Sequence, residues 1–456
     1  MNNLEQNYYS KWLETEELLN MKNISTIGVN DSVSTTSLPV GSIDNKIIVD
    51  KNIDTTLVIG SVGSGKTQSV TLPMLEQSAR SGESLFVNDP KGELYLTTSR
   101  RFIDSGFNVI NINLENIDVS DSWNPFTLVG KLYKEGKEDD AYKLVILTLN
   151  YLLAENKPGA DPFWANTATQ YLTGIVLSLL EKNVDTNKIN FETLSRFTTD
   201  YNSEEVSEYI ENLDKNGIAY KNISSTYLAP FETKASIMSV LNQKLTELLG
   251  RKKVVNRLSN DSFDITKIRE NKTIIYFTYD DSSLIESTLY NMFIEQAMYV
   301  INNDKITKPF TFILDDFDTN TRPIINFNNK INNLRSSYGQ VVMFIKGLDT
   351  LTNVYGKEDV EILKYQVHNI LYLISNEYNT LKFISDFCGK KNSEENLVSP
   401  EGLRRMPYFT ALYIKFRTMP YYGKIIPFYK MGINIEQNKP IAKEYKEIDI
   451  LDINNI

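Results

Sequence analysis

An α/β fold built on a parallel sheet and interrupted by an all-α domain is what the sequence predicts, and three observations carry that prediction. From about residue 55 onward, short apolar segments alternate with helical stretches, the pattern of a parallel α/β sheet. The run Leu57-Val58-Ile59 leads directly into Gly60-Ser61-Val62-Gly63-Ser64-Gly65-Lys66-Thr67, which meets every fixed position of the phosphate-binding pattern G-x-x-x-x-G-K-[ST]. From about residue 126 to 250 the pattern changes to helical periodicity broken by loops, with few strand signals.

Taken in order, the expected strands are Thr56 to Ile59, Ser84 to Asn88, Asn108 to Ile112, Thr273 to Phe277, Phe310 to Leu314, Gln340 to Ile345 and Ile370 to Ile374. The helical stretch falls between the third and the fourth, so it is an insertion into the α/β domain. Its loops include Lys157-Pro158-Gly159-Ala160-Asp161-Pro162. Tyr408 to Phe416 and Lys424 to Tyr429 flank a turn containing Pro420 and read as a terminal hairpin. The expected division is an N-terminal segment at 1–45, the first part of a nucleotide-binding domain at 46–125, an all-α domain at 126–250, and the second part with the hairpin at 251–456.

A chain of 456 residues exceeds the size at which a single core stops growing, so two or three domains are expected. One cysteine, Cys388, rules out an intrachain disulfide framework and fits a reducing compartment. His368 is the only histidine, which rules out a zinc site of the usual His/Cys kind and leaves oxygen-ligated metals such as Mg²⁺. No segment approaches the ~20 apolar residues that span a bilayer, and the polar, acidic N-terminus has no signal-peptide pattern. The chain reads as soluble and cytoplasmic. A net charge of −10 argues against a protein that coats nucleic acid over its whole surface, while leaving room for a local basic groove or a pore. Candidate phosphate-backbone contacts are Arg251-Lys252-Lys253 with Arg257, Arg100-Arg101 and Arg404-Arg405, each of which also reads as an ordinary solvated face.

The glycine-rich octet makes nucleotide binding the first functional expectation. Its glycines let the backbone wrap so closely that N–H groups point at phosphate oxygens. Lys66 supplies a charge for the β and γ oxygens, Thr67 a hydroxyl for Mg²⁺, and the helix that starts there its positive end. Gln68 follows on that helix and joins Gly60 to Thr67 as a nucleotide contact. The metal also needs a carboxylate at the end of another strand. Phe310 to Leu314 followed by Asp315-Asp316 supplies it, with Asp315 on the metal and Asp316 where many ATPases carry a glutamate that polarises the attacking water. Asp89, which precedes Pro90-Lys91-Gly92-Glu93, either lies beside the nucleotide or opens a helix.

The series of motifs resembles the type IV secretion coupling proteins, the TraG/TraD-type conjugative DNA-transfer ATPases. The segments that carry the resemblance are the loop at 60–67, Asn88-Asp89-Pro90-Lys91-Gly92-Glu93-Leu94, Ser122-Trp123-Asn124-Pro125, Asp161-Pro162-Phe163-Trp164, Ile313-Leu314-Asp315-Asp316-Phe317 and Leu334-Arg335-Ser336-Ser337-Tyr338-Gly339, followed by the stretches at 348–356, 383–389 and 400–407. The resemblance implies a RecA-like P-loop motor domain with an inserted all-α domain that holds cargo specificity. It also implies a homo-oligomer, a hexameric ring at the inner face of a secretion channel. Such a ring binds ATP with Mg²⁺, takes single- or double-stranded DNA together with a relaxase or effector proteins, and drives transfer. Nucleotide sites in such rings lie between subunits, and Arg335 is the candidate for the arginine a neighbour supplies.

Three departures from the family pattern qualify those expectations. Members carry N-terminal transmembrane helices, whereas Ser10 to Leu18 resembles the segment that follows them, so a membrane anchor encoded elsewhere, a natural soluble variant and a trimmed chain are the three expectations. Lys346 stands where the family has a glutamine that senses the γ-phosphate or orients water, and Asp316 stands for the usual glutamate. A lysine binds phosphate but cannot accept a hydrogen bond from water. ATP binding is therefore expected, with the rate of hydrolysis left open and slow or water-relayed turnover as one outcome. Two other readings stay open: a soluble DNA translocase of the FtsK/HerA kind, and a low-turnover, nucleotide-gated docking scaffold.

Overall fold

The computed structural model describes residues 9–52, 54–153, 161–306 and 308–455. Four residues of the expected loop at 157–162, numbers 157–160, lie outside them. The chain divides into two compact units, one comprising Met1–Asn111, Lys267–Ser282 and Ile301–Pro440, the other Ile112–Thr266, Ser283–Val300 and Ile441–Ile456. The second unit thus takes in chain on both sides of the 126–250 stretch, including the last residues, which the sequence reading had assigned to the nucleotide-binding part.

The first unit opens with strands β1 (Ile24–Ile27), β2 (Leu38–Ile43) and β3 (Lys46–Asp50), a small antiparallel sheet in the order β1-β3-β2. The expected N-terminal segment at 1–45 therefore ends inside a hairpin. Asp44 and Asn45 both adopt left-handed backbone, φ 48° and 60°, as the tight turn between twisted strands requires. Pro39 and Gly41 weaken the strand signal of β2, and the pairing is irregular between them.

The large sheet has nine strands: β4 (Thr56–Gly60), β5 (Ser84–Asn88), β6 (Asn108–Asn113), β7 (Thr273–Thr278), β8 (Phe310–Leu314), β9 (Gly339–Ile345), β10 (Asn369–Ile374), β11 (Thr410–Lys415) and β12 (Tyr421–Lys424). Their order is β12-β11-β10-β4-β9-β8-β5-β7-β6. All seven strands expected for the parallel sheet form, their ends shifted by at most one residue. From β10 to β7 the strands run parallel, and β11 and β12 add antiparallel at one edge. A parallel sheet covered on both faces needs strands apolar throughout, and β4, β5, β7 and β8 are buried at every residue.

The second arm of the terminal hairpin differs from the reading of Lys424 to Tyr429. It pairs earlier, at Tyr421–Lys424, and the chain then passes through Pro427, which has no N–H to give to a ladder, into a 3₁₀ turn at Phe428–Lys430.

The second unit is helical. Asp161 caps the Pro162–Glu181 helix, accepting from Phe163 N at 2.9 Å, with Pro162 at the first turn where its missing N–H costs nothing. At Gly174 this helix meets Ile218–Tyr227 so closely that a Cβ would stand 2.7 Å from the Ala219 carbonyl oxygen. The Trp123-Asn124-Pro125 segment is a structural staple of this unit. Trp123 Nε1 donates to Gln296 Oε1 at 3.2 Å, and Gln296 Nε2 donates back to the Pro125 carbonyl at 2.7 Å. The buried Asn124 amide donates to the Thr186 and Ile189 carbonyls and accepts from Phe126 N, so that its polar atoms are satisfied.

Candidate nucleotide-binding site

A cleft of about 560 Å³ opens at the C-terminal ends of the parallel strands, the usual ligand position of an open α/β sheet. Residues 61–68 line it together with Asp89, Lys91, Asp315, Asp316 and Lys346. The topology explains the gathering. β9 lies between β4 and β8, so Lys346, one residue past β9, stands between the phosphate loop that follows β4 and the two aspartates that follow β8.

The loop has the backbone the sequence demands. Gly63 and Gly65 take φ of 77° and 90°, a region closed to most side chains, while a Cβ on Gly60 would collide with Ser64 Oγ. The chain then enters a π-helical turn, Thr67–Thr71, continued by the α-helix Leu72–Ser81. Lys66 is buried and donates from Nζ to the Gly60 carbonyl. Burial pulls its ammonium below the ordinary lysine value, and Asp315, Asp316 and Asp318 pull it back up. Buried Ser64 Oγ and Gln68 Oε1 have no hydrogen-bond partner, so the loop holds polar atoms that the nucleotide-free protein leaves unused.

Asp315 is pushed up to about 7, first by burial and next by the neighbouring charge of Asp316, while Lys66 opposes both. Asp316 has left-handed backbone, φ 48°, and its carboxylate lies 3.9 Å from Lys91 Nζ. That contact gives the Asp-Pro-Lys-Gly-Glu box a place in the cleft. Lys346 is fixed from both sides: Asp318 Oδ2 accepts its N–H at 2.6 Å, and Ser375 Oγ donates to its carbonyl at 3.2 Å. Asp318 was missed in the sequence reading, and its one signal was a third acid two positions beyond the expected pair.

Asp89 lines the cleft and also anchors the Glu93–Asp104 helix, accepting from Leu94 N at 3.2 Å and Tyr95 N at 2.8 Å. Burial nevertheless pushes its carboxyl up to about 6, against an ordinary 3.8. A raised carboxyl stabilises the fold fully below the unfolded value, and that stability is lost as pH rises through the folded one. The nucleotide-free protein should therefore lose stability between about pH 4 and 6 by a contribution on the order of 3 kcal/mol from this group. Denaturant titrations across that range should show a shallower fall in Asp89→Asn. An unchanged slope would remove Asp89 as the cause.

Other expected residues fall outside the cleft. Arg335 pairs with Asp54 at 3.2 Å and contacts His368 Nε2 at 3.0 Å, and it is not among the cleft-lining residues. Most of the basic clusters are engaged internally: Arg101 with Glu76 at 2.9 Å, Arg100 with Asp104 at 3.1 Å, Arg251 with Glu286 and Lys253 with Asp118. Arg257 is buried, donates to the Lys443 and Glu444 carbonyls, and lies on the Tyr445 ring. Lys252, Arg404 and Arg405 are exposed.

The sheet, the loop and the helical unit define a RecA-like P-loop nucleotide-binding fold with an all-α unit. The chain belongs to the type IV secretory system conjugative DNA transfer family, whose model matches residues 11–409. It is similar in fold to the bacterial conjugative coupling protein TrwB lacking its first 70 residues, with 14% identity and a TM-score of 0.66 over 90% of this chain and 92% of that one. The complex of TrwB with ADP and Mg²⁺ gives 13% identity and a TM-score of 0.69, covering 94% and 95%. VirB4 of Thermoanaerobacter pseudethanolicus is more distant, with 11% identity and a TM-score of 0.51 over 88% and 98%. No curated protein sequence matches. Among the described residues no helix is long and apolar enough to cross a membrane.

Proposed function

We propose that the chain is an ATP-driven coupling protein that binds ATP with Mg²⁺ in this cleft, hydrolyses it slowly, and moves DNA with its relaxase, or protein effectors, to a type IV secretion channel. The observation that supports this best is the convergence of Lys66, Thr67, Asp315, Asp316 and Lys346 on one cleft in a chain of this family. Function follows as a homo-oligomer, a hexamer, at the cytoplasmic face of the membrane.

The donor set suits Mg²⁺. Among the described residues no three His, Cys, Asp or Glu side chains are grouped to hold a metal alone. Thr67 and Asp315 offer a sparse oxygen set, to which Mg²⁺ adds water and phosphate oxygens. Bound there, the ion neutralises charge on the β and γ phosphates.

The loop N–H groups and Lys66 orient the triphosphate. Lys346, whose backbone is held by Asp318 and Ser375, binds the γ-phosphate. Asp316 accepts a hydrogen bond from the water whose oxygen bonds to the γ-phosphorus as the bond to the β–γ bridging oxygen breaks. The Lys91 ion pair and the short aspartate side chain favour slow turnover, which is the feature a nucleotide-gated scaffold would share.

Steady-state ATP hydrolysis across protein concentration, with and without single-stranded DNA, tests the reading. Turnover per subunit should rise with both. Tight ATP binding without turnover under every condition would replace the motor with the docking scaffold.

A further inference from the structure

The phosphate loop has a second cavity on its outer side, of about 170 Å³, which shares residues 61–64, Tyr408 and Phe409 with the main cleft. Its character is different. The main cleft is lined by three lysines and several carboxylates, whereas no charged side chain among the described residues lines the smaller cavity. Val62, Gly63, Ile374, Met406, Pro407 and Phe409 make its apolar walls, with Ser61, Ser64, Asn376 and Thr410 as uncharged polar residues beside them. A neutral, flat group fits such a space, and a phosphate does not.

The aromatic side is held in place. Phe409 has φ 57°, an uncommon conformation for a bulky residue and one that persists only where surrounding structure enforces it. Ile425 N donates to its carbonyl at 2.9 Å, and Thr410 Oγ1 donates to the Pro407 carbonyl at 2.6 Å. A Cβ built on Gly65 would stand 3.7 Å from Phe409 Cε1, so the ring lies against the phosphate loop itself. Lys430 Nζ lies 5.7 Å from the ring centroid. Tyr408, 78% exposed, continues the aromatic surface toward solvent, its centroid 6.4 Å from that of Phe409.

We propose that Phe409 and Tyr408 form the base-binding shelf of this nucleotide site, taking the purine ring in the uncharged cavity while the triphosphate lies in the charged cleft. The proposal rests on the nucleotide reading above and adds the half of the ligand that the phosphate loop does not address. Stacking on a π-face does not read the edge of a base, so the shelf accepts adenine and guanine alike.

Calorimetric titrations of ATP, GTP and inorganic tripolyphosphate test this in the full chain. Phe409→Leu keeps apolar bulk but removes the π-face, and Tyr408→Ala alters an exposed side chain. Each should weaken ATP about tenfold, the scale of one lost stacking contact, and leave tripolyphosphate affinity unchanged, which also shows that the loop is still folded. ATP and GTP should bind the parent chain within a few-fold of each other. Wild-type ATP affinity in both variants, or an equal loss of tripolyphosphate and ATP, would overturn the shelf. So would discrimination between ATP and GTP beyond about a hundredfold, which would require hydrogen-bond readout of the base edge. If the parent chain binds tripolyphosphate no better than Lys66→Ala does, the nucleotide reading fails instead, and the shelf with it.

Discussion

Lys66→Ala should lose ATP binding, with affinity falling by about two orders of magnitude or more. The size of the effect follows from where the ammonium lies. It is buried, bonded to the Gly60 carbonyl, and faces a set of carboxylates at Asp315, Asp316 and Asp318. Removing it leaves those acids facing a triphosphate with Lys91 and Lys346 as the remaining cations among the described residues that line the cleft. Loss of a desolvated, charge-assisted contact costs about 2–5 kcal/mol, and the added repulsion acts in the same direction. The nucleotide-free variant should still fold, because the Asp315 carboxyl, already raised to about 7, can take a proton once its cationic neighbour is gone. Equilibrium titration with ATP, beside a thermal melt of the same preparation, separates lost binding from lost folding. ATP hydrolysis at the parent rate by clean Lys66→Ala would sink the assignment of this site.

The positions of Lys66, Asp315 and Lys346 were legible for one reason. Each sits one to seven residues past an apolar run that could only be a buried strand, and parallel strands deliver their C-terminal ends to one edge of a sheet. What was not legible depends on chain distant in sequence. Asp318 matters through the backbone of Lys346, 28 residues later and just past β9, and Phe409 reaches the loop only because the edge strands return to β10. Neither contact leaves a local pattern. The small N-terminal sheet had a local signal, the Asp44-Asn45 turn between two apolar stretches, which the Pro39 and Gly41 of β2 obscured. The basic clusters show the opposite failure. A run of cations is visible in sequence, but its acidic partners, such as Glu76 for Arg101 and Asp118 for Lys253, are separated from it by 25 and 135 residues.

Exchanges at Asp315 and Asp316 should separate binding from chemistry. Asp315→Asn removes the carboxylate proposed for the metal and should abolish Mg²⁺-dependent turnover, a loss of about a hundredfold or more, since both the ion's position and its charge compensation go with it. Asp316→Asn should lower turnover by a similar factor while ATP affinity stays within a few-fold, because that side chain addresses water and not phosphate. Asp316→Glu is the more informative exchange, as two effects oppose each other. The added methylene extends the reach of the carboxylate toward an attacking water, which should raise turnover. At φ 48°, however, aspartate is tolerated better than glutamate, so the substitution should cost about 1 kcal/mol and lower the melting temperature by a few degrees. Faster hydrolysis from a less stable protein is thus the expected result. A stable Asp316→Glu protein with no gain in rate would move the limit on turnover to Lys346, which cannot accept a hydrogen bond from water, or to a cation that a neighbouring subunit must supply.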